Sequence, residues 1–301
     1  MVTIEAEITA FQELFITVVG GAIGGVIVYY FTVGQDNWFK RIKVKRILNQ
    51  RHERILNQRH EEVSGLLELY EELFPDDGNN YTANEVLEFF ADGNGSNRKT
   101  HVKTEDYFLV ATIKKTVIGF LFCHYYPEVR SGIVSYLGIK KESEEARTNA
   151  VAALLKKLME FLCNRSAPCD LLVFELQKIE RITGKKQRGI GRMAAFRKRA
   201  LDFNSKAYEI CIDYKRPKLS LDPKLKEEPL ILAYVPLGSH TPLNSLSKSS
   251  VIKLLEFIHL YCYADFYEVS DPQFIQFQEY LKKRLASYEK NLPDMVPVVS
   301  K

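Results

Sequence analysis

Charge is missing from one long stretch of this 301-residue sequence: between Leu14 and Gln35 there is no Asp, Glu, Lys or Arg. A helix rising about 1.5 Å per residue needs roughly 20 apolar residues to cross a hydrocarbon core, so residues 14–35 are long enough to span a bilayer. Lys and Arg are also absent from residues 1–13, which carry Glu5, Glu7 and Glu13 instead. A cleaved signal peptide begins with basic residues and has a shorter apolar run, which argues against one here. Cysteine is scarce and odd in number: Cys123, Cys163, Cys169, Cys211 and Cys262 show no CxxC spacing. Neither a disulfide framework nor a zinc site is suggested, no metal is expected, and a reducing compartment suits such a set. The net charge of +4 is small for this length. No nucleic-acid partner is expected from it.

A basic cluster orients the uncharged stretch. Lys40, Arg41, Lys43, Lys45 and Arg46 lie just beyond the span, and short basic flanks stay on the cytoplasmic side. The expectation is a single-pass membrane protein with residues 1–13 outside, a transmembrane helix at 14–35 and the remainder cytoplasmic. Gly20, Gly21, Gly24 and Gly25 give two overlapping Gly-x-x-x-Gly spacings, a flat helix surface that offers a homodimer contact. Trp38 and Phe39 suit the interface. From Trp38 to Leu73 the chain has no Pro and is rich in Arg, Glu, Gln and Leu. That composition predicts one long helix, with residues 36–61 as its juxtamembrane part. Within it the octapeptide RILNQRHE occurs twice, at Arg46–Glu53 and Arg54–Glu61. Eight residues overshoot two helical turns, so the repeat reads as a solvated spacer rather than a heptad seam.

Pro75, Asp76, Asp77 and Gly78 break that helix. A short helix is predicted over Glu85–Phe90, then a polar loop at Asp92–Asn97. Tyr107–Ile113 and Val117–Tyr125 are β-branched and aromatic runs separated by Lys114, Lys115 and Thr116, the pattern of an antiparallel hairpin. A strand at Ile133–Ile139 comes next. Val151, Leu154, Leu155, Leu158 and Leu162 recur at three and four within Arg147–Leu162, a helix with one buried face. Further strands are predicted at Leu171–Leu176, Ala207–Tyr214 and Leu230–Val235, with a helix at Met193–Phe203. Two helices close the chain, Ser250–Phe266 and Pro272–Tyr288, the second with Asp271 as N-cap and Pro272 in its first turn. Their aromatics read as packing residues.

Several strings in this order resemble the GNAT superfamily of N-acetyltransferases. Leu69–Asp76 (LYEELFPD) is similar to that superfamily's first helix and its exit turn, and Val117-Ile118-Gly119-Phe120 to the end of its hairpin. Ser135–Ile139 (SYLGI) is placed like its fourth strand, and Asp213-Tyr214 with Pro217 and Leu219 resembles a string of one subgroup. The resemblance covers about residues 62–238, leaving 239–301 as a C-terminal helical extension. It implies an α/β (α+β) fold, a GNAT-like mixed central sheet flanked by helices, here preceded by one transmembrane helix and followed by C-terminal helices.

It also implies acetyl-CoA as co-substrate. Backbone groups of Leu137, Gly138 and Ile139 would hold the pantetheine arm. The pyrophosphate cradle, an Arg or Gln followed by spaced Gly or Ala at a helix N-terminus, falls on Arg147, Thr148, Asn149, Ala150, Val151 and Ala152, with Ala150 standing where Gly is usual. Gln187-Arg188-Gly189-Ile190-Gly191-Arg192 is closer by letters but comes one strand too late. Glu175 is placed like the superfamily's catalytic carboxylate, set against the bland reading of a surface Glu on an edge strand. The usual proton-donating Tyr aligns with Phe196, so Tyr214 or Tyr208 is the substitute donor. The basic run from Lys178 to Arg199 suits the cofactor's phosphate, anionic lipid or nucleic acid, with lipid the cheaper partner beside a membrane, set against the bland reading of a solvated loop. The expected function is membrane-tethered transfer of acetyl from acetyl-CoA to an amine on a small molecule or protein. The alternative is a GNAT-like module without turnover, acting as a membrane-bound sensor or scaffold.

Overall fold

In the computed structural model, residues 42–47, 60–74, 82, 83, 86, 103–140, 144–166, 168–177, 207–218, 221–237, 244–264, 267 and 271–300 are described. Their elements run β1 (Lys43–Ile47), α1 (His60–Leu73), β2 (Glu105–Ile113), β3 (Thr116–Tyr126), β4 (Ser131–Ile139), α2 (Glu144–Cys163), β5 (Leu171–Gln177), β6 (Tyr208–Ile210), β7 (Lys215–Arg216), β8 (Glu228–Pro236), β9 (Ser245–Ser247), α3 (Lys248–Glu256) continued by a π-helical turn (Phe257–Tyr263), α4 (Pro272–Asn291) and β10 (Met295–Ser300). The strands form one mixed sheet in the order β1-β2-β3-β4-β5-β8-β6-β10-β9, with β7 paired to β8. Val44–Lys301 is one compact unit, and it holds the sheet with its helices apart from Lys43, the first residue of β1.

The hairpin turns on two lysines. Ile113 pairs with Thr116, and Lys114 and Lys115 carry positive φ angles of 48° and 74°, the left-handed pair that a two-residue turn between twisted strands requires. Alternation along the strands then sorts side chains to two faces. Phe108 and Val110 of β2 and Phe120 and Phe122 of β3 join Val63, Leu66 and Tyr70 of α1 in one buried cluster. Leu109, Ala111 and Leu121, equally buried, point to the other face, against which α2 packs on β2, β3 and β4. Tyr126, on the same parity of β3 as Phe122, belongs to a second cluster made with β5, β6, β8, α3, the π-turn and α4. Helix α1 and the C-terminal helices therefore share one sheet face.

The structure corrects the reading of the N-terminal region. Lys43–Ile47 is a strand, not part of a helix from Trp38 to Leu73, and the described part of α1 runs from His60. The strand is selected by tertiary contact: the Arg46 guanidinium lies 4.0 Å above the Tyr107 ring and donates to the Asp106 carbonyl at 3.0 Å, while Ile47 is 4% exposed in the α1 cluster. Of the juxtamembrane helix assigned to 36–61, residues 42–47 are not helical, and 36–41 and 48–59 lie outside the described residues. Residues 239–301 contain the two helices expected there and, in addition, the strands β9 and β10. β10 inserts between β6 and β9, pairing Val298 with Ile210 and Val296 with Leu246. Among the described residues no helix is long and apolar enough to cross a membrane; residues 14–35, including Gly20, Gly21, Gly24 and Gly25, lie outside them, as does the helix predicted at Met193–Phe203.

Candidate functional site

The parallel pairing of β4 with β5 breaks off midway. β4 and β5 pair from Ser131 with Leu171 to Val134 with Phe174. Beyond that point β4 stays with β3 as far as Ile139, while β5 stays with β8 as far as Gln177. The cause is local. Phe122 pairs with Tyr136 and the next residue, Cys123, with Val134, so Ser135 is an extra residue on β4. A bulge of this kind bends its strand, and here it opens a cleft between β4 and β5.

Alternation fixes which backbone groups face the cleft. The Lys140 N–H donates to the Ile118 carbonyl at 2.8 Å. In an antiparallel ladder every second residue bonds to the same partner. Gly138 and Tyr136 therefore bond toward β3, and Leu137 and Ile139 turn their N–H and C=O toward the opened side. Gly138 has a separate reason to be glycine: a Cβ there would run into the Phe120 ring and Leu73.

Glu175 is the first β5 residue past the parted pairing, in a strand flanked by β4 and β8 rather than at a sheet edge. The Tyr214 hydroxyl donates to its Oε1 and the Tyr263 hydroxyl to its Oε2 at 2.7 Å. Arg216 of β7 adds a nearby positive charge and is itself paired with Glu228 at 2.8 Å. Burial raises the Glu175 pKa, against the lowering by the two phenol donors and Arg216. Burial, with the neighbouring Glu175 charge, lifts Tyr214 and Tyr263 well above the ordinary phenol value. Both phenols thus stay protonated as donors, and the carboxyl titrates above an ordinary Glu, toward the range useful to a general base. Tyr214, expected to protonate a departing thiolate, directs its hydroxyl at the carboxylate instead. Tyr208 is stacked on Tyr234 with centroids 5.3 Å apart, away from this group.

Arg147, Thr148, Asn149, Ala150, Val151 and Ala152 all lie within α2, whose described part runs from Glu144, and the residues just before Glu144 lie outside the described ones. Ala150 and Ala152 are 0% and 2% exposed. Asn149 is buried and its Nδ2 has no hydrogen-bond partner, so this start of α2 retains an unused donor. The Gln187–Arg192 string, Phe196 and the Lys178–Arg199 run lie outside the described residues. Among the described residues no group of three or more His, Cys, Asp or Glu is placed to hold a metal.

No family model matches this sequence and no curated protein matches it. Solved structures similar to it include the aminoglycoside 6'-N-acetyltransferase from Enterococcus faecium, 11% identical with a TM-score of 0.41, covering 66% of this chain and 99% of that one. A GNAT-family acetyltransferase from Streptococcus pneumoniae is 12% identical with a TM-score of 0.41, covering 65% and 99%. The catalytic domain of the Tetrahymena GCN5 histone acetyltransferase, in complex with coenzyme A, is 11% identical with a TM-score of 0.35, covering 66% and 95%. Superpositions this loose carry no assignment.

Sequence reasoning missed Tyr263 and Arg216. Tyr263 was one aromatic among many in a helix read as packing, and only the π-turn sets it apart. Arg216 lies two residues beyond the Asp213-Tyr214 string, and no spacing rule marks it.

Proposed function

We propose that this chain is an acyl-CoA-dependent N-acetyltransferase that moves acetyl from acetyl-CoA to an amine, tethered to a membrane through residues 14–35 with its catalytic unit in the cytoplasm. The observation that supports this reading is the parting of β4 and β5 after Val134 and Phe174, with the backbone groups of Leu137 and Ile139 facing the cleft and Glu175 on the facing strand. Peptide groups freed on one edge of a strand suit the amide-bearing pantetheine arm, which can bond along them like an added strand. Bound acetyl-CoA would supply the thioester: the amine attacks its carbonyl carbon, the C–S bond breaks, and coenzyme A leaves as a thiol once its thiolate regains the proton that the amine releases. Glu175 takes the proton that the attacking nitrogen gives up, and Tyr214 and Tyr263 hold the carboxylate where that nitrogen arrives. The acceptor's class is left at amine, because its specificity resides in loop shape.

The second reading, a module without turnover, has its own observation. Glu144 and Glu145 precede Arg147 in α2. Two acidic residues there oppose a pyrophosphate. Thiol release from acetyl-CoA across a panel of amines decides between the two. The enzyme reading expects release by the full chain that falls about 100-fold or more in Glu175→Gln. Release no faster than the uncatalysed rate with every amine contradicts it.

A further inference from the structure

The C-terminal segment reaches the candidate site twice. Its first contact is Tyr263, the last residue of the π-helical turn, 4% exposed with its hydroxyl on Glu175. Within that turn the Ala264 N–H bonds to the His259 carbonyl, five residues back. Such a turn holds one residue more than an α-turn, rotates the next residues around the axis, and recurs at functional sites. Here it leaves Phe257, Ile258, His259, Cys262 and Tyr263 all buried.

Its second contact is α4, which grips the segment carrying Tyr214 and Arg216. The Lys215 N–H donates to the Tyr288 hydroxyl at 3.1 Å and the Lys218 N–H to the Tyr280 hydroxyl at 3.2 Å. Arg284 donates to the Lys215 carbonyl at 2.5 Å and is ion-paired with Glu227. One wall of the cleft is therefore set by residues beyond the acetyltransferase-like region in sequence.

We propose that Tyr263 is a positioning residue for Glu175, carried into the cleft by the π-helical turn so that the C-terminal segment completes the site. As a catalytic statement this rests on the acetyltransferase reading. As a statement about the Glu175 carboxylate it does not. A hydrogen bond to the ionised form favours that form, so losing the Tyr263 donor raises the pH at which Glu175 titrates. The charged and titratable groups facing the carboxylate are Tyr214, Tyr263 and Arg216, with Glu228 behind Arg216 and Tyr136 of β4 beside it. A lone substitution at position 263 leaves the others in place.

The test is an infrared titration of the full chain in which Glu175→Gln identifies the Glu175 carboxyl band. Tyr263→Phe is expected to move its midpoint up by about one pH unit. 3-Fluorotyrosine incorporated at position 263, a stronger donor of nearly the same shape, is expected to move it down and keeps the test open if Tyr263→Phe folds poorly. Tyr267→Phe, which removes a phenol from the same segment, is the control and is expected to leave the midpoint in place. With acetyl-CoA turnover, the acid limb of kcat/KM should move with the band while the KM for acetyl-CoA stays within about twofold. A midpoint unmoved by both changes at position 263, or moved as far by Tyr267→Phe, overturns the proposal. If the band shifts as stated while no amine is acetylated, the acetyltransferase reading fails and the positioning role of Tyr263 stands.

Discussion

Two parts of one sheet face are built on opposite rules. Under α1 the buried cluster is aromatic and aliphatic: Tyr70 lies 5.2 Å from Tyr136 and 6.0 Å from Phe122 between ring centroids, and Phe108 packs edge-on to Phe122 at 4.8 Å. Under α3, the π-turn and α4 the same face holds Glu175, Tyr214, Tyr263, His259 and Arg284. Burying a carboxylate, an imidazole and a guanidinium costs stability unless each finds partners. Here each has them. The His259 Nδ1–H donates to the Leu255 carbonyl at 2.8 Å, which leaves Nε2 to accept from Arg284 Nε at 3.4 Å. A plain core would be the cheaper way to cover this half of the sheet, so its polar groups are evidence of use, whereas those under α1 need only pack.

The contrast can be broken first on the apolar side. Phe120 is 0% exposed, so Phe120→Ala should cost about 3–5 kcal/mol in urea unfolding, because it removes a ring and leaves a cavity. That loss should be the same at pH 5 and pH 8. Phe120 itself packs on Tyr70, Phe74 and Phe122 rather than on the Glu175 group, so infrared titration of the Glu175 band in the folded variant should be unchanged.

On the polar side pH does the work. Burial, reinforced by the Arg284 charge, lowers the His259 pKa from 6.5 to about 3. Between those values the unfolded chain takes up a proton that the folded one refuses, so stability falls as pH drops from about 6.5 toward 3 and is fully present above 6.5. His259→Asn should remove a pH-dependent component on the order of 4–5 kcal/mol over that window, measured as the difference between wild-type and variant unfolding curves. Equal slopes would mean that His259 does not titrate as its surroundings require.

Smaller effects sharpen the same division. Tyr288→Phe removes the acceptor for the Lys215 N–H and should cost about 1 kcal/mol, with protection from hydrogen exchange lost at Lys215 but not in β2 or β3. Lys45→Ala removes an ion pair with Glu62 whose lysine side chain is 48% exposed. Thermal unfolding should register at most about 0.5 kcal/mol, vanishing at high salt.

How much of this could be read in advance depended on whether the determining interaction was local. The hairpin, β4, α2, β5 and α4 arise from short apolar runs and spacings, and Asp271 caps α4 as expected, its carboxylate accepting the Gln273 N–H at 2.7 Å. The lysine turn carries no glycine, yet two residues between complementary strands sufficed to place it. β1 was invisible because its strand conformation is imposed by Tyr107 and Asp106, 60 residues away in the case of the Arg46 bond to Asp106. β10 was hidden by Pro297, which is tolerated because only its carbonyl is needed, accepting from the Cys211 N–H at 3.0 Å. In the site, Glu175 was found by its order along the chain, whereas its partners come from a turn whose π geometry no pattern announces. The motif letters of the cradle cannot say where α2 starts, and the described helix already includes Glu144, ahead of Arg147.

The cleft itself is open to one direct measurement, calorimetric titration of acetyl-CoA into the full chain and into Leu137→Pro. Proline at position 137 deletes an N–H that faces the cleft and leaves the Gly138 and Tyr136 bonds to β3 in place. Saturable binding by the wild type, weakened about tenfold or more in Leu137→Pro with the thermal transition retained, is the expected result. No binding by the wild type at millimolar acetyl-CoA, or equal binding by both proteins, would contradict the assignment of the β4/β5 cleft as the acyl-CoA site.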